Sequence, residues 1–285
     1  MHTKKRLFVQ ILASVGLFIV AVALVLAAWL YWPGMTAGKQ KIFQSFSLPV
    51  ALVNFRPISM PSLVATYQIE ENLQNSQFSG PPSATPQAAL QQLIYEQQVL
   101  QTGQGLGVAV SQSEIDEFYD NLAAQNNNLD SILSANGMTE NSFKQEFVKP
   151  QLYLTDLQIW YNSQPSLNQQ VYNQAQDLLN KINSGYSMQT LAADYSQDTT
   201  GKLTGGDLGY IDPTSLLPEL REPVIDLKEG QAAVIPGRDG LHIFRLEGKN
   251  GNLLHLRQIF LTGGDFQSWL NQKISNYKVI KLVKV

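Results

Sequence analysis

From Leu7 to Gly38 the chain carries no charged residue, and Leu7 to Tyr31 is almost wholly apolar. A helix rises ~1.5 Å per residue, so such a run can cross a hydrocarbon core of ~30 Å with some tilt. Lys4, Lys5 and Arg6 precede it, and the bias of basic residues toward the cytoplasm holds the N-terminus inside. Trp29, Tyr31 and Trp32 then stand where amphipathic rings favour the far interface. A cleaved signal peptide is the competing reading. Its apolar core is shorter, ~7–15 residues, and ends in a small-x-small exit; here Ala27-Ala28 is followed by bulky Trp29. The expectation is a cytoplasmic tail over residues 1–6 and a single-pass plasma-membrane anchor over 7–32, with the bulk of the chain outside the cytoplasm.

The 285 residues hold two ordinary domains beyond that segment, and an apolar fraction of 44% is enough for real cores. A net charge of −3 gives no pull toward nucleic acid. With no cysteine, disulfides and thiolate metal sites are excluded. The three histidines are His2, His242 and His255, and no metal-ligand cluster, phosphate loop or nucleophile elbow accompanies them. No cofactor is expected. From Arg245 onward seven bases face only Glu247 and Asp265. This is either a solvated basic face or a surface leaning toward anionic lipid or acidic clients.

Residues 39–165 read as helices. A short apolar run, Leu48 to Asn54, ends in a turn former; helical segments follow over about Pro61 to Gln74 and Gln87 to Gln101. Ser111-Gln112-Ser113-Glu114 is a capping box, and Ile115, Phe118, Tyr119 and Leu122 share the face behind it. Gly137-Met138-Thr139 opens another helix, which Pro150 should kink or restart. The order of Pro49-Val50-Ala51-Leu52-Val53-Asn54 with Ile58-Ser59, Leu93-Ile94-Tyr95-Glu96, Gly107 to Ser111 with Glu114-Ile115, and Gly137-Met138-Thr139 with Phe143 resembles the SurA-type N-terminal chaperone domain. The resemblance implies an all-helical cradle for unfolded polypeptide.

From Leu167 the pattern changes. Amphipathic helices are expected over Val171 to Ile182 and Met188 to Tyr195, followed by Tyr195-Ser196-Gln197-Asp198. Gly205-Gly206-Asp207-Leu208-Gly209, Leu216-Leu217-Pro218-Glu219-Leu220 and Gly240-Leu241-His242-Ile243-Phe244 come next. This succession, over residues 167–262, resembles the parvulin-type (PpiC-like) prolyl isomerases, whose fold is an FKBP-like α+β domain. By that resemblance Leu208, Leu216 and Leu220 line a slot for the proline ring, while Asp198 and His242 stand near the carbonyl of the isomerising bond. Each has a plainer reading: the leucines as core, Asp198 as a turn cap, His242 as a satisfied core histidine.

The family opens this domain with an Arg-His-Ile-Leu strand, and nothing before Val171 looks like it, since Asn162 to Gln170 is polar and proline-broken. Arg257-Gln258-Ile259-Phe260 does, with Gln258 in place of the histidine. The first strand is therefore expected on the C-terminal side, joined by a three-residue Lys249-Asn250-Gly251 hairpin that sets Gln258 opposite His242 as the third site residue; the plainer reading is an ordinary extra hairpin. Residues 263–285 form an extension: a helix capped by Asp265, then a strand from Val279. The resemblance implies an extracytoplasmic, membrane-anchored foldase that isomerises X-Pro bonds in unfolded or partly folded exported polypeptides, with chaperone activity. The alternative is a weak or inactive parvulin-like module that only binds peptide, to which Gln258 and the leucine slot point.

Overall fold

The computed structural model describes residues 47–75, 85–126, 128–135 and 138–283, with a few isolated positions before Ser47. The expected anchor, apart from Leu26 and Trp29, lies outside the described residues. Among those described, no helix is long and apolar enough to cross a membrane.

In chain order the elements are β1 (Pro49–Val53), β2 (Arg56–Ser59), α1 (Met60–Asn75), α2 (Pro86–Gly105), α3 (Gln112–Gln125), α4 (Leu129–Ala135) and α5 (Glu140–Phe143). A π-helical turn, Lys144–Val148, leads into α6 (Lys149–Asn162), α7 (Gln169–Asn183), α8 (Met188–Tyr195) and α9 (Thr199–Leu203). Then come β3 (Asp207–Ile211), α10 (Pro218–Ile225), β4 (Ala232–Pro236), β5 (Gly240–Asn250), β6 (Leu253–Thr262), α11 (Phe266–Ile274) and β7 (Val279–Lys281). The mixture is α+β, and it divides into two compact units.

The first unit comprises Met1–Gln98, Asn126–Glu146 and Tyr277–Val285. Here the all-helical expectation is corrected, because the unit contains a three-stranded sheet of order β2-β1-β7. Pro49 to Val53 is extended because its apolar side chains can all be covered. Val50, Ala51 and Val53 are fully buried against Met60, Leu63, Leu90, Leu93 and Ile94. Asn54 and Phe55 make the two-residue β1–β2 turn with φ of 46° and 67°, both positive as a type I′ turn requires. Asn54 also receives the returning chain: its N–H donates to the Lys278 carbonyl and its side-chain oxygen accepts from the Lys278 N–H, each at 2.9 Å. The chain end thus becomes the third strand of a sheet begun near residue 49.

The second unit comprises Val99–Gln125 and Phe147–Asn276. The capping box forms as expected: Ser111 Oγ accepts from the Glu114 N–H at 3.2 Å while Glu114 accepts from the Ser111 N–H at 2.6 Å. After the π-helical turn, α6 restarts with Pro150 in its first turn, where a missing N–H costs nothing. Four strands form one antiparallel sheet of order β3-β6-β5-β4. Its two faces bury separate clusters. Leu241, Ile243, Ile259 and Leu261 pack with Ala175, Leu178, Ile182, Met188 and Leu191 of α7 and α8. Phe244, Leu246, Leu254 and Leu256 pack with Leu220 and Val224 of α10.

The β5–β6 hairpin departs from expectation in detail. Its turn has two central residues, not three: Asn250 pairs with Leu253, and Gly251 takes φ 59° in the first central place. The turn alone moves Gly248 three positions, from Asn252 to His255, and a bulge between Leu246 and Gly248 takes one position back. Phe244 therefore faces Gln258, and His242 faces Phe260. The displacement is by two positions, so every side chain keeps its expected face.

Because β6 is an interior strand, its removal strips partners from β3 and β5 together. Each buried amide left unpaired costs ~1–3 kcal/mol, against a total stability of ~5–15 kcal/mol. A chain ended after Asn252 should show no cooperative thermal transition by circular dichroism. A sharp transition near that of the intact chain would contradict the interior placement.

Candidate functional site

Alternation along β5 sends Leu241 and Ile243 to the helix-covered face and His242 and Phe244 to the other. His242 is only 3% exposed. Its ring lies flat over Phe244, centroids 5.8 Å apart and planes 9° apart, and it meets Phe260 of β6 at 5.0 Å. Both ring nitrogens are engaged. Nδ1 lies 2.7 Å from the Gln258 side-chain amide nitrogen, and Nε2 lies 2.8 Å from Asp239 Oδ1. Burial works against ionisation of Asp239, but the His242 hydrogen bond, with a backbone hydrogen bond and the Arg238 charge behind it, outweighs it and holds the carboxyl below its usual range. An ionised Asp239 accepts, so Nε2 carries the proton, and Nδ1 accepts from the Gln258 amide.

The structure thus brings two of the expected residues, His242 and Gln258, into direct contact. The leucines converge nearby. Leu220 is 2% exposed within the Phe244 cluster, and Leu208 and Leu216 are partly buried against the same cluster. The Asp198 carboxylate caps α9, accepting from the N–H groups of Thr200 at 3.1 Å and Gly201 at 2.9 Å. The segment just before it runs beside β6. The Gln197 N–H donates to the Phe260 carbonyl at 2.8 Å, and buried Ser196 Oγ accepts from the Phe260 N–H.

The two glycines of Gly205-Gly206-Asp207 are dictated by this packing. Both have positive φ, 63° and 79°, which side chains resist. A Cβ on Gly206 would stand 2.3 Å from the Gln258 carbonyl oxygen. That close approach lets the Gly206 carbonyl accept from the Gln258 N–H at 2.8 Å and so fixes the backbone bearing the site amide. Asp207 closes the turn, accepting from the Gly209 N–H, His255 and Arg257. The Gly209 bond, then that of His255, hold its carboxyl below the usual range. His255 is therefore a turn-fixing residue on the face opposite Gln258.

Two contributors escaped the sequence reading. Asp239 is signalled only by its place three residues before His242. The other is the anchoring of its loop: Arg238 forms a two-pronged ion pair with Glu219 of α10, at 2.8 and 2.7 Å, and its N–H also donates to Glu219. Near them on α6, burial and then the like charges of Glu114 and Glu219 push the Asp156 carboxyl up to about 6, against the pull of Arg238. Among the described residues no group of three or more His, Cys, Asp or Glu is placed to hold a metal ion.

Asp156 gives a stability test of this cluster. A carboxyl whose folded pKa is raised binds its proton more tightly when folded, so stability grows as pH falls through about 6 and is lost on ionisation above it. A shift of this size in a fully buried group would be worth ~3 kcal/mol; partial exposure leaves about 1 kcal/mol. Asp156→Asn should raise the thermal midpoint by ~2–4 °C at pH 7.5, with the gain vanishing near pH 4. A gain equal at both pH values, or a loss at pH 7.5, would show that ionised Asp156 is not under strain.

Comparison with known proteins agrees with the order of these parts. A family model described as PPIC-type PPIASE domain matches residues 159–248, and one described as SurA-like N-terminal domain matches residues 1–158. Foldase protein PrsA 2 of Bacillus anthracis is 37% identical over 78 residues, 27% of this chain and 27% of that protein. Chaperone SurA of Pseudomonas aeruginosa is 39% identical over 77 residues, 26% of this chain and 18% of its own. The matched stretch thus spans about a quarter or less of these relatives. A solved structure of PrsA from Bacillus anthracis shares 18% identity, covering 66% of this chain and 86% of that one, with a TM-score of 0.23 that carries no weight for the fold. The chain belongs to the family that joins a SurA-like N-terminal domain to a PPIC-type PPIase domain.

Proposed function

We propose that this chain is an extracytoplasmic foldase, held to the plasma membrane by residues 7–32, that isomerises X-Pro bonds in exported polypeptides and shields them while unfolded. The observation that carries the reading is the His242–Gln258 contact on the same sheet face as the cluster that holds Leu208, Leu216 and Leu220. The names of the relatives, a foldase and a chaperone, agree with it.

The chemistry asks little beyond shape and polarity. The X-Pro bond resists rotation by ~18–20 kcal/mol of amide resonance. Twisting abolishes the resonance and the charge separation that water stabilises, so an apolar slot beside oriented polar groups favours the twisted state. Leu208, Leu216, Leu220 and Phe244 are assigned to the slot, and His242 with Gln258 to the polar wall. Asp198, bound by two amides, is assigned to shaping the edge next to β6. We also infer that β6 is the family's first strand moved to the far end of the domain. The family match stops at residue 248, and β6 lies between β3 and β5, where an N-terminal strand would otherwise be needed. The second reading, peptide binding with little turnover, is favoured by one observation: both His242 nitrogens are already bonded within the protein.

Exchange spectroscopy on an X-Pro peptide separates the two. With catalytic amounts of the full chain in lipid nanodiscs, cis–trans cross-peaks are expected. Their rate should fall ~10-fold or more in His242→Ala and persist in Gln258→His, which keeps a polar side chain against the ring. Peptide binding shifts without exchange would establish the second reading. For topology, protease added to intact spheroplasts should digest everything beyond the anchor. Full protection of the chain would end the extracytoplasmic assignment.

A further inference from the structure

The loop joining β4 to β5, Gly237-Arg238-Asp239, is held from two sides, and only one hold is an ion pair. Arg238 ties it to Glu219 of α10, the helix that also bears the slot residue Leu220. The other hold comes from α6, the helix just before the isomerase-like domain. Its last residue, Asn162, is 3% exposed. The Asn162 Nδ2 donates to the carbonyls of Gly237 at 2.9 Å and Arg238 at 3.2 Å. The loop so held is tight. Its Gly237 N–H donates to the Gly240 carbonyl, and a Cβ on Gly237 would stand 2.8 Å from His242 Nε2.

Asn162 is a poor choice if stability were its whole purpose. Its Oδ1 is buried without a hydrogen-bond partner, which offsets much of what the two donated bonds contribute. That oxygen lies against Gly263 so closely that a Cβ there would stand 2.2 Å away. Asn168, six residues on, ties down the same segment with both ends of its amide satisfied, accepting from the Gly264 N–H at 2.8 Å and donating to the Tyr161 carbonyl at 2.6 Å. The end of α6 is further fixed by Trp160 and Tyr161 packing on Trp269 of α11, at 5.8 and 5.1 Å. A rigid post therefore stands behind the loop. What it delivers is a carboxylate, Asp239, at 2.8 Å from His242.

We propose that Asn162 is a positioning residue for the isomerase site: it sets the Gly237–Arg238 backbone so that Asp239 holds the His242 ring in one tautomer and orientation. The inference deepens the isomerase reading and rests on it. It also makes the end of a helix outside the strands of the domain a determinant of turnover.

The test uses the full chain in nanodiscs and two readouts. The first is exchange of an X-Pro peptide, per folded molecule. Asn162→Leu fills the same space without donors, and removes the orphaned oxygen. Its thermal midpoint should stay within a few degrees of the parent, while kcat/KM falls about 10- to 100-fold, chiefly in kcat, as expected when a reacting geometry is loosened. Asp239→Asn should fall comparably, and the double variant should be no worse than Asp239→Asn alone, because both changes break one chain of contacts. Parental kcat/KM in Asn162→Leu, or full additivity in the double variant, would overturn the proposal. The second readout is the ring 15N spectrum, in which His242 is one of three histidines. Asn162→Leu should move its resonances toward those of Asp239→Asn; an unchanged ring spectrum overturns the proposal even if the parent proves inactive, an outcome that would sink only the isomerase reading. Should the leucine variant lose its cooperative unfolding, the isosteric Asn162→Asp, which also lacks the amide donors, is read the same way.

Discussion

The second unit depends on β6 being sandwiched between two antiparallel neighbours. Its ladder with β5 runs from Asn250↔Leu253 at the turn to Gly240↔Thr262 at the far end. On the other edge β3 covers its first half, and the Ser196–Gln197 segment with Gly206 covers the second. Every buried N–H and C=O on the strand needs such a partner. Once both edges are filled, its side chains are committed. Leu254 and Leu256 enter one core, Ile259 and Leu261 the other, and Gln258, opposite Phe244, is left to reach along the sheet to His242.

That commitment explains why the glycine-rich turn is built as it is. The backbone of Gly206 must come close enough to accept from the Gln258 N–H, and no side chain fits in the gap. Asp207 then serves two ends. It closes the turn through Gly209 and reaches Arg257 and His255 on the helix-side face of β6. Arg257 extends the tie to the Gly205 carbonyl and to Glu247, the residue at the β5 bulge. The bulge that returns the hairpin to an even register shift is thus held by a charge network that also fixes the turn.

Much of this was legible in the sequence wherever the determining interaction is local. The Ser111–Glu114 capping box, the span of α8 from Met188 to Tyr195 and the Asp265 cap of α11 are set by residues within one turn of each other. The faces of β5 and β6 were legible too, because a two-residue period survives any even register shift. The exact pairing was not, since the bulge at Glu247 depends on Arg245 and Arg257 arriving from neighbouring strand positions. The sheet in the first unit was missed because β7 is separated from β1 by most of the chain. Asn162 was invisible for the same reason: its partners, Gly237 and Arg238, are far away in sequence, and a single polar residue at a helix end announces nothing.

The engagement of both His242 nitrogens narrows what the site can do. A ring that donates from Nε2 to Asp239 and accepts at Nδ1 from Gln258 has no free nitrogen to exchange a proton with a substrate. Rotation about an X-Pro bond needs no such exchange, since no bond is made or broken. What it needs is a surface that does not reorganise while the amide twists. On the proposed isomerase reading, the imidazole, stacked on Phe244 and clamped at both nitrogens, is such a surface. If β6 is the family's first strand, as proposed above, glutamine in the histidine's place at 258 is tolerable, because a fixed hydrogen bond is what the position would have to supply, and the Gln258 amide supplies one from a backbone locked by Gly206.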